Sequence, residues 1–324
     1  MTATQARVVI VVPVYNKSAV LERALSSVQR QTYGSWRLVV VDDGSLDDSR
    51  DRVRPFLADE RVELICQENQ GPGAARNRGV AGAAEELVAF LDADDEWEPE
   101  FLAALVGALE AQPLAAAAAS GWVRIEAGVG TAIPSPSSVR GRWRWDGSVD
   151  GPTFKRVVDA LHSSATVIRR SEFDRRGGYY EHHCTFGEDS FLWARVALSD
   201  ELAFVDRALV RFHTDASSLS AGRGSAYPAP PLLTSPGAFL GEAAGARADF
   251  AARYLVWYYR FVLLRMLNQR AVGAALRLTL ALALALRGRR PGSASVVVAA
   301  LRVGERYLTM RTPALRRVGA GRDR

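Results

Sequence analysis

Cysteine, lysine and long apolar runs are scarce in this chain. Its 324 residues include two Cys, Cys66 and Cys184, which make no C-x-x-C pair and no zinc spacing with the four His. That excludes a disulfide framework and fits a reducing compartment. No stretch reaches the roughly 18 uninterrupted apolar residues of a spanning helix. The nearest approach, residues 271–286, is broken by Arg277. The apolar run at 8–12 stops at Pro13 with no small-residue cleavage site after it. It reads as a buried strand rather than a signal peptide. The content of 48% hydrophobic and 24% charged residues excludes a disordered or collagen-like chain.

Lysine occurs only at positions 17 and 155, and the formal net charge is +5. That modest figure hides a division. Residues 250–324 carry 15 Arg and only two acids, Glu305 and Asp323, a surplus of 13 positive charges. The preceding 249 residues hold 26 bases against 34 acids, a deficit of 8. An acidic body with a basic tail points to a polyanionic partner for the tail.

The first 110 residues alternate strand-like and helix-like segments. Apolar runs at 8–12, 37–41, 62–66 and 87–91 read as buried strands. Residues 20–31, 48–59, 73–84 and 98–111 read as helices between them. This alternation predicts an α/β layered domain with a largely parallel sheet, its chemistry at the strands' carboxyl ends. Residues 115–125 read as a strand, 132–150 as a long loop, 188–198 as a helix and 222–245 as a Gly/Ala/Pro-rich linker. Helical signal returns from 246, with a break at 287–292.

Four stretches carry candidate chemistry. Phe90-Leu91-Asp92-Ala93-Asp94-Asp95 ends a buried strand with carboxylates at i and i+2. Two such oxygens suit Mg²⁺ or Mn²⁺, and a polar turn capping the next helix is the competing reading. Val41-Asp42-Asp43-Gly44-Ser45 places acids at another strand end, where they can accept from a ribose or a base, or simply cap a turn. Residues 69–79 are rich in Gly and Arg but fit neither a dinucleotide fingerprint nor a P-loop. Gly187-Glu188-Asp189 opens an apolar helix. It offers either a general base or carboxylates favoured by the helix dipole. His213, in Arg211-Phe212-His213, is either a ligand or a structural His.

The order of these pieces resembles glycosyltransferase family 2. The series runs Val11-Val12-Pro13-Val14-Tyr15-Asn16, Val41-Asp42-Asp43-Gly44-Ser45, Gly71…Ala75-Arg76-Asn77, Leu91-Asp92-Ala93-Asp94-Asp95 and Gly187-Glu188-Asp189. The resemblance implies a GT-A fold: three α/β/α layers, a mostly parallel central sheet and, here, a C-terminal helical extension. It implies that Pro13, Tyr15 and Asp43 line a nucleotide pocket beside Asp42, with Arg76 near the donor phosphates. It implies a metal-binding pair, Asp92 and Asp94, joined by His213, and a catalytic base, Asp189, next to Glu188. The Q-x-x-R-W signature of processive synthases is missing, which favours transfer of one sugar per encounter.

The expected organisation is a catalytic domain over 1–222, with a nucleotide-sugar half (1–111) and an acceptor half (112–222). A linker (223–245) and a basic helical region (246–324) follow. The expected partners are a nucleotide-diphosphate sugar and a glycan or lipid-linked acceptor, with Mg²⁺ or Mn²⁺ as cofactor and no nucleic acid. Trp143, Trp145, His162 and Tyr180 are candidates for acceptor choice. The basic region is open to an anionic membrane surface, to the chain's own body or to a second copy in a homo-oligomer. The location expected is cytoplasmic, at the inner face of the cell membrane. A nucleotidyltransferase of similar fold and a non-catalytic glycan- or nucleotide-binding protein are the alternatives.

Overall fold

A computed structural model describes residues 8–133, 141–182, 184, 186–214, 229–269, 271–289 and 295–303. The chain forms two compact units, Met1–Gly222 and Arg223–Arg324.

In the first unit, β1 (Val8–Val14), β2 (Trp36–Asp42), β3 (Val62–Cys66) and β4 (Leu87–Phe90) are joined through α1 (Leu21–Gln29), α2 (Ser49–Val53) and α3 (Pro72–Val80). Each neighbouring pair of these strands is parallel, in the order β3-β2-β1-β4. A strand covered on both faces needs apolar side chains at every position, which is why Val8–Val12 form an unbroken run. Ile10 and Val12 enter the core built with Leu21 and Leu25 of α1 and with Leu102 and Leu105 of α4 (Phe101–Ala111). Val11 points to the other face and meets Gly79 of α3. These two faces make the three-layer α/β/α arrangement.

The sheet then becomes mixed. The short β5 (Glu96–Trp97) precedes α4, and β6 (Ala115–Glu126), β7 (Val129–Ile133) and β8 (Gly141–Trp143) follow it. Next come α5 (Gly151–Ala160), β9 (Thr166–Arg169), α6 (Arg170–Arg175), α7 (Glu188–Ser199) and β10 (Glu201–His213). The full order is β3-β2-β1-β4-β9-β6-β10-β5. β9 runs antiparallel to both neighbours, whereas β6 and β10 are parallel. The expected strand at 115–125 is β6, and the helix expected over 188–198 is α7. The loop expected over 132–150 contains β8, which pairs with β10, and residues 134–140 of it lie outside the described residues. Trp143 is buried and its Nε1–H donates to the Ala197 carbonyl, so it packs the α7 layer instead of facing an acceptor. Trp145 is buried too.

The second unit is helical: α8 (Pro231–Thr234), α9 (Gly237–Gly241), α10 (Ala246–Asn268), α11 (Val272–Ala285) and α12 (residues 295–303). Within the expected linker over 223–245, α8 and α9 bury Leu232, Leu233, Phe239 and Leu240, and both pack on α10. Residues 223–228 of that linker and 304–324 of the basic region lie outside the described residues. Phe250, Tyr254, Tyr258 and Tyr259 of α10 are buried. Among the described residues no helix is long and apolar enough to cross a membrane.

Candidate active site

Parallel register brings the chemistry-bearing residues together. Val14 of β1 stands opposite Asp42 of β2, and Val11 stands opposite Phe90 of β4. Each strand therefore ends at the same edge of the sheet. There β1 delivers Tyr15, β2 delivers Asp42 and Asp43, and β4 delivers Asp92.

Tyr15 is 43% exposed at this edge and Pro13 is half-buried. Asp43 is buried and accepts from Gln67 Nε2 (2.8 Å), Gln70 N–H (2.9 Å) and Gly71 N–H (2.8 Å). It thereby ties down the loop that precedes α3. Asp42 accepts from Arg50 Nε at 2.6 Å, while its Oδ1 is buried without a partner. An orphaned buried acceptor costs about 1–3 kcal/mol, and a ligand donor would relieve it.

The Gly-rich stretch serves close approach. Gly71 has φ +94°, and a Cβ on Gly73 would lie 2.4 Å from the Tyr180 carbonyl oxygen. Asn77 then clamps Tyr179 from both sides, donating to its carbonyl (2.8 Å) and accepting from its N–H (2.9 Å). These contacts draw residues 179–180, which precede α7, onto the start of α3.

Arg76 occupies the junction. Its Nη2 meets Asp92 Oδ1 at 2.6 Å and its Nη1 meets Glu188 Oε1 at 2.9 Å. The guanidinium is buried and lies 4.9 Å from the Tyr179 ring centroid. Burial opposes its charge, but Asp92, Tyr179 and Glu188 more than restore it, so its pKa rises. Burial and the neighbouring Asp189 charge push the Glu188 carboxyl up, against the pull of Arg76. Asp92 behaves oppositely: burial pushes it up, but Arg76 and His162 prevail and hold it below its ordinary value. Asp189 is half-buried in the first turn of α7, and its Oδ1 accepts from Ser190 N–H at 2.6 Å.

The acidic strand end divides its tasks. Asp94 is engaged by Lys17 Nζ at 2.6 Å. Asp95 is fully buried and accepts from Ser164 Oγ at 2.6 Å and from the His213 backbone, and its Oδ1 has no partner. Burial and the charges of Asp92 and Asp94 raise its pKa well above the ordinary carboxylate range. Ligand atoms of Asp92, Asp95 and His162 lie within 4.8 Å of one another. Two carboxylates and an imidazole form a donor set that suits Mg²⁺ or Mn²⁺, and the orphaned Asp95 oxygen fits a cation there. Asp94 and the His213 side chain do not belong to this cluster; the His213 imidazole lies 3.9 Å from Glu96. The motif pattern at 92–95 pointed to this strand end but held no signal for His162, which the turn before β9 brings in from 70 residues away.

Solved structures show the fold. The chain matches residues 1–349 of TarS from S. aureus, solved with UDP-GlcNAc, at TM-score 0.68 and 18% identity, over 94% of this chain and 92% of that one. It matches the mannosyltransferase PcManGT from Pyrobaculum calidifontis, solved with GDP-Man and Mn²⁺, at TM-score 0.53 and 19% identity, over 93% and 87% of the two chains. The fold is that of a GT-A glycosyltransferase. The chain belongs to glycosyltransferase family 2, whose profile, Glycosyl transferase family 2, matches residues 9–177.

Among curated relatives, an uncharacterized glycosyltransferase of Nostoc sp. is 43% identical over 102 residues, 31% of this chain and 32% of its own length. The Escherichia coli enzyme WfgD, a UDP-Glc:α-D-GlcNAc-diphosphoundecaprenol β-1,3-glucosyltransferase, is 41% identical over 89 residues, 27% of this chain and 35% of its own length. The chain spans about a third of the length of the curated relatives it matches.

Proposed function

We propose that this chain is an inverting glycosyltransferase that moves one sugar from a nucleotide-diphosphate sugar to a hydroxyl acceptor. The acceptor class proposed is a glycan or lipid-linked glycan of the cell surface, in keeping with the diphosphoundecaprenol substrate in the name of WfgD. One observation carries the reading: Arg76 joins Asp92, at the end of a nucleotide-half strand, to Glu188, beside Asp189 on α7. A donor-binding edge and a candidate base are thereby held in one constellation.

In this reading Tyr15 stacks on the base and Asp42 Oδ1 accepts from the nucleoside, with Pro13 and Asp43 shaping the pocket. Asp92 and Asp94 would hold the cation in the family pattern, Asp94 exchanging its Lys17 partner for it, with His213 as a further donor. The Asp92–Asp95–His162 cluster is a second donor set sharing Asp92. A bound Mg²⁺ or Mn²⁺ supplies charge neutralisation for the departing diphosphate. Asp189 accepts the proton of the acceptor hydroxyl as its oxygen attacks the anomeric carbon opposite the leaving group. One Asp189 oxygen is held by Ser190 N–H, which orients the other for this task. A single displacement inverts the anomeric centre.

The test measures donor binding by calorimetry, with and without Mn²⁺, and turnover by the nucleotide product released. Asp189→Asn is expected to lose about 10²–10⁴-fold in turnover while donor affinity is kept. Asp92→Ala is expected to lose the Mn²⁺-dependent part of donor binding. Undiminished turnover of Asp189→Asn removes it as the base, and release of pyrophosphate instead of nucleoside diphosphate identifies a nucleotidyltransferase.

A further inference from the structure

The second unit carries a groove outside the constellation described above. One face of α10 and one face of α12 line an open groove of about 400 Å³. α10 contributes Arg253, Val256, Trp257 and Arg260, and α12 contributes Ser295, Val298, Ala299 and Arg302. Both sets follow the spacing i, i+3, i+4, i+7, so two like faces look at each other. Three guanidiniums line it together with apolar side chains, and no acid does. Among the described residues, none of the three is met by a carboxylate. Gathering unpaired positive charge costs free energy, and an anionic ligand reverses that cost.

The same unit also exposes aliphatic surface. Leu276, Leu280 and Leu284 recur one turn apart along α11 and are 60–66% exposed. The opposite side of that helix buries Ala275, Leu278 and Leu282. Phe261 and Leu301 are also exposed, at 53% and 68%. Exposed leucines and an aromatic in a segment rich in arginine are the pattern of a helix that lies in a membrane interface.

We propose that the unit of helices α10–α12 docks on an anionic phospholipid surface, with lipid phosphates at Arg253, Arg260 and Arg302 and the α11 leucines entering the acyl boundary. Charge complementarity selects this occupant. Residues 250–324 hold 15 Arg against two acids, so two copies meeting through this region would set like charge against like. A nucleic acid would satisfy the arginines but leave the leucines in water. α11 has 14 residues, about 21 Å of helix, short of the roughly 30 Å hydrocarbon core, so it lies on the bilayer and does not cross it.

The test is flotation of the full chain with vesicles of phosphatidylcholine alone or mixed with phosphatidylglycerol. Donor binding is measured on the same samples. The chain is expected to float with the mixed vesicles only. The triple variant Arg253→Gln, Arg260→Gln, Arg302→Gln is expected to bind them about a hundredfold more weakly, since each guanidinium contributes about fivefold at an anionic surface. Leu276→Ser with Leu280→Ser is a second variant, expected to weaken flotation without changing donor binding. Inorganic phosphate at matched ionic strength is expected to leave flotation unchanged. Flotation independent of lipid charge, undiminished flotation of the triple variant, or a concentration-dependent dimer in place of flotation overturns the proposal. Failure of the unaltered chain to float with the mixed vesicles, with donor binding intact, counts against the docking surface alone, because the catalytic reading rests on the other measurement.

Discussion

Arg76 decides more than any other single side chain. Its buried guanidinium faces two carboxylates from different parts of the chain. Removing one partner of a buried charge cluster leaves the others uncompensated, at about 3–5 kcal/mol. Arg76→Ala is therefore expected to destabilise the fold by that order in urea unfolding, and to abolish transfer. Asp47 offers a pH test at the same scale. Exposed at the surface, it accepts from Ser18 N–H and from the Ser49 backbone and hydroxyl, which outweigh a slight desolvation and lower its pKa to about 2. A lowered carboxylate stabilises the folded state fully above its ordinary value of 3.8, and that stabilisation is lost as pH falls through about 2. Asp47→Asn is expected to melt earlier than the parent at neutral pH, and the two should converge near pH 2. A Tm difference that does not change with pH would refute the assignment. Residue types at 42–43, 92–95 and 188–189 were legible as chemistry because these acids follow one another in the order that resembles the family. Their partners were not: no spacing places Arg76 between Asp92 and Glu188.

Elements show where periodicity works and where it fails. The strands of the parallel half are legible because burial on both faces demands continuous apolar runs. β10 is not, although it is 13 residues long. Asp206 and Arg207 sit where its pairing with β6 shifts register between Val205 and Ala208, and the irregularity interrupts the alternation that marks a strand. The helix expected over 73–84 forms as α3, Pro72–Val80, although its small residues give almost no amphipathic signal. They are there because the helix lies against β1. A Cβ on Gly79 would come within 2.4 Å of Val11 Cγ1, in a fully buried side chain. Gly79→Ala is expected to cost about 1–3 kcal/mol by overpacking. Gly107, exposed inside α4 with nothing within 4 Å of its built Cβ, gives the opposite sign. Gly107→Ala is expected to gain about 0.5–1 kcal/mol, because the unfolded chain loses freedom that the helix does not use. Denaturant midpoints of the two variants check both signs.

Across the whole molecule the governing feature is charge placement. The acidic first 249 residues contain the carboxylates proposed to bind and orient; the arginine-rich remainder contains none of them. The proposed transfer draws its residues from the first and none from the second. If the second unit meets a lipid surface through its arginines, vesicle binding should fall steeply with salt, since the screening length shrinks from about 10 Å at 0.1 M to about 3 Å at 1 M. Flotation measured across that range of NaCl gives the slope. A flat salt response would leave the exposed leucines as the sole attraction and remove the arginines from it.

Composition, apolar periodicity and the order of the acidic motifs determined by themselves that this is an α/β chain with its chemistry at strand ends, because burial and hydrogen-bonding rules act locally along a sequence. Partnership between distant residues was decided only by the tertiary structure. His162 reaches Asp92 and Asp95, Lys17 holds Asp94, and two faces of α10 and α12 close around one groove. Such meetings depend on sheet order and close backbone approach, neither of which is encoded in the spacing of any one segment.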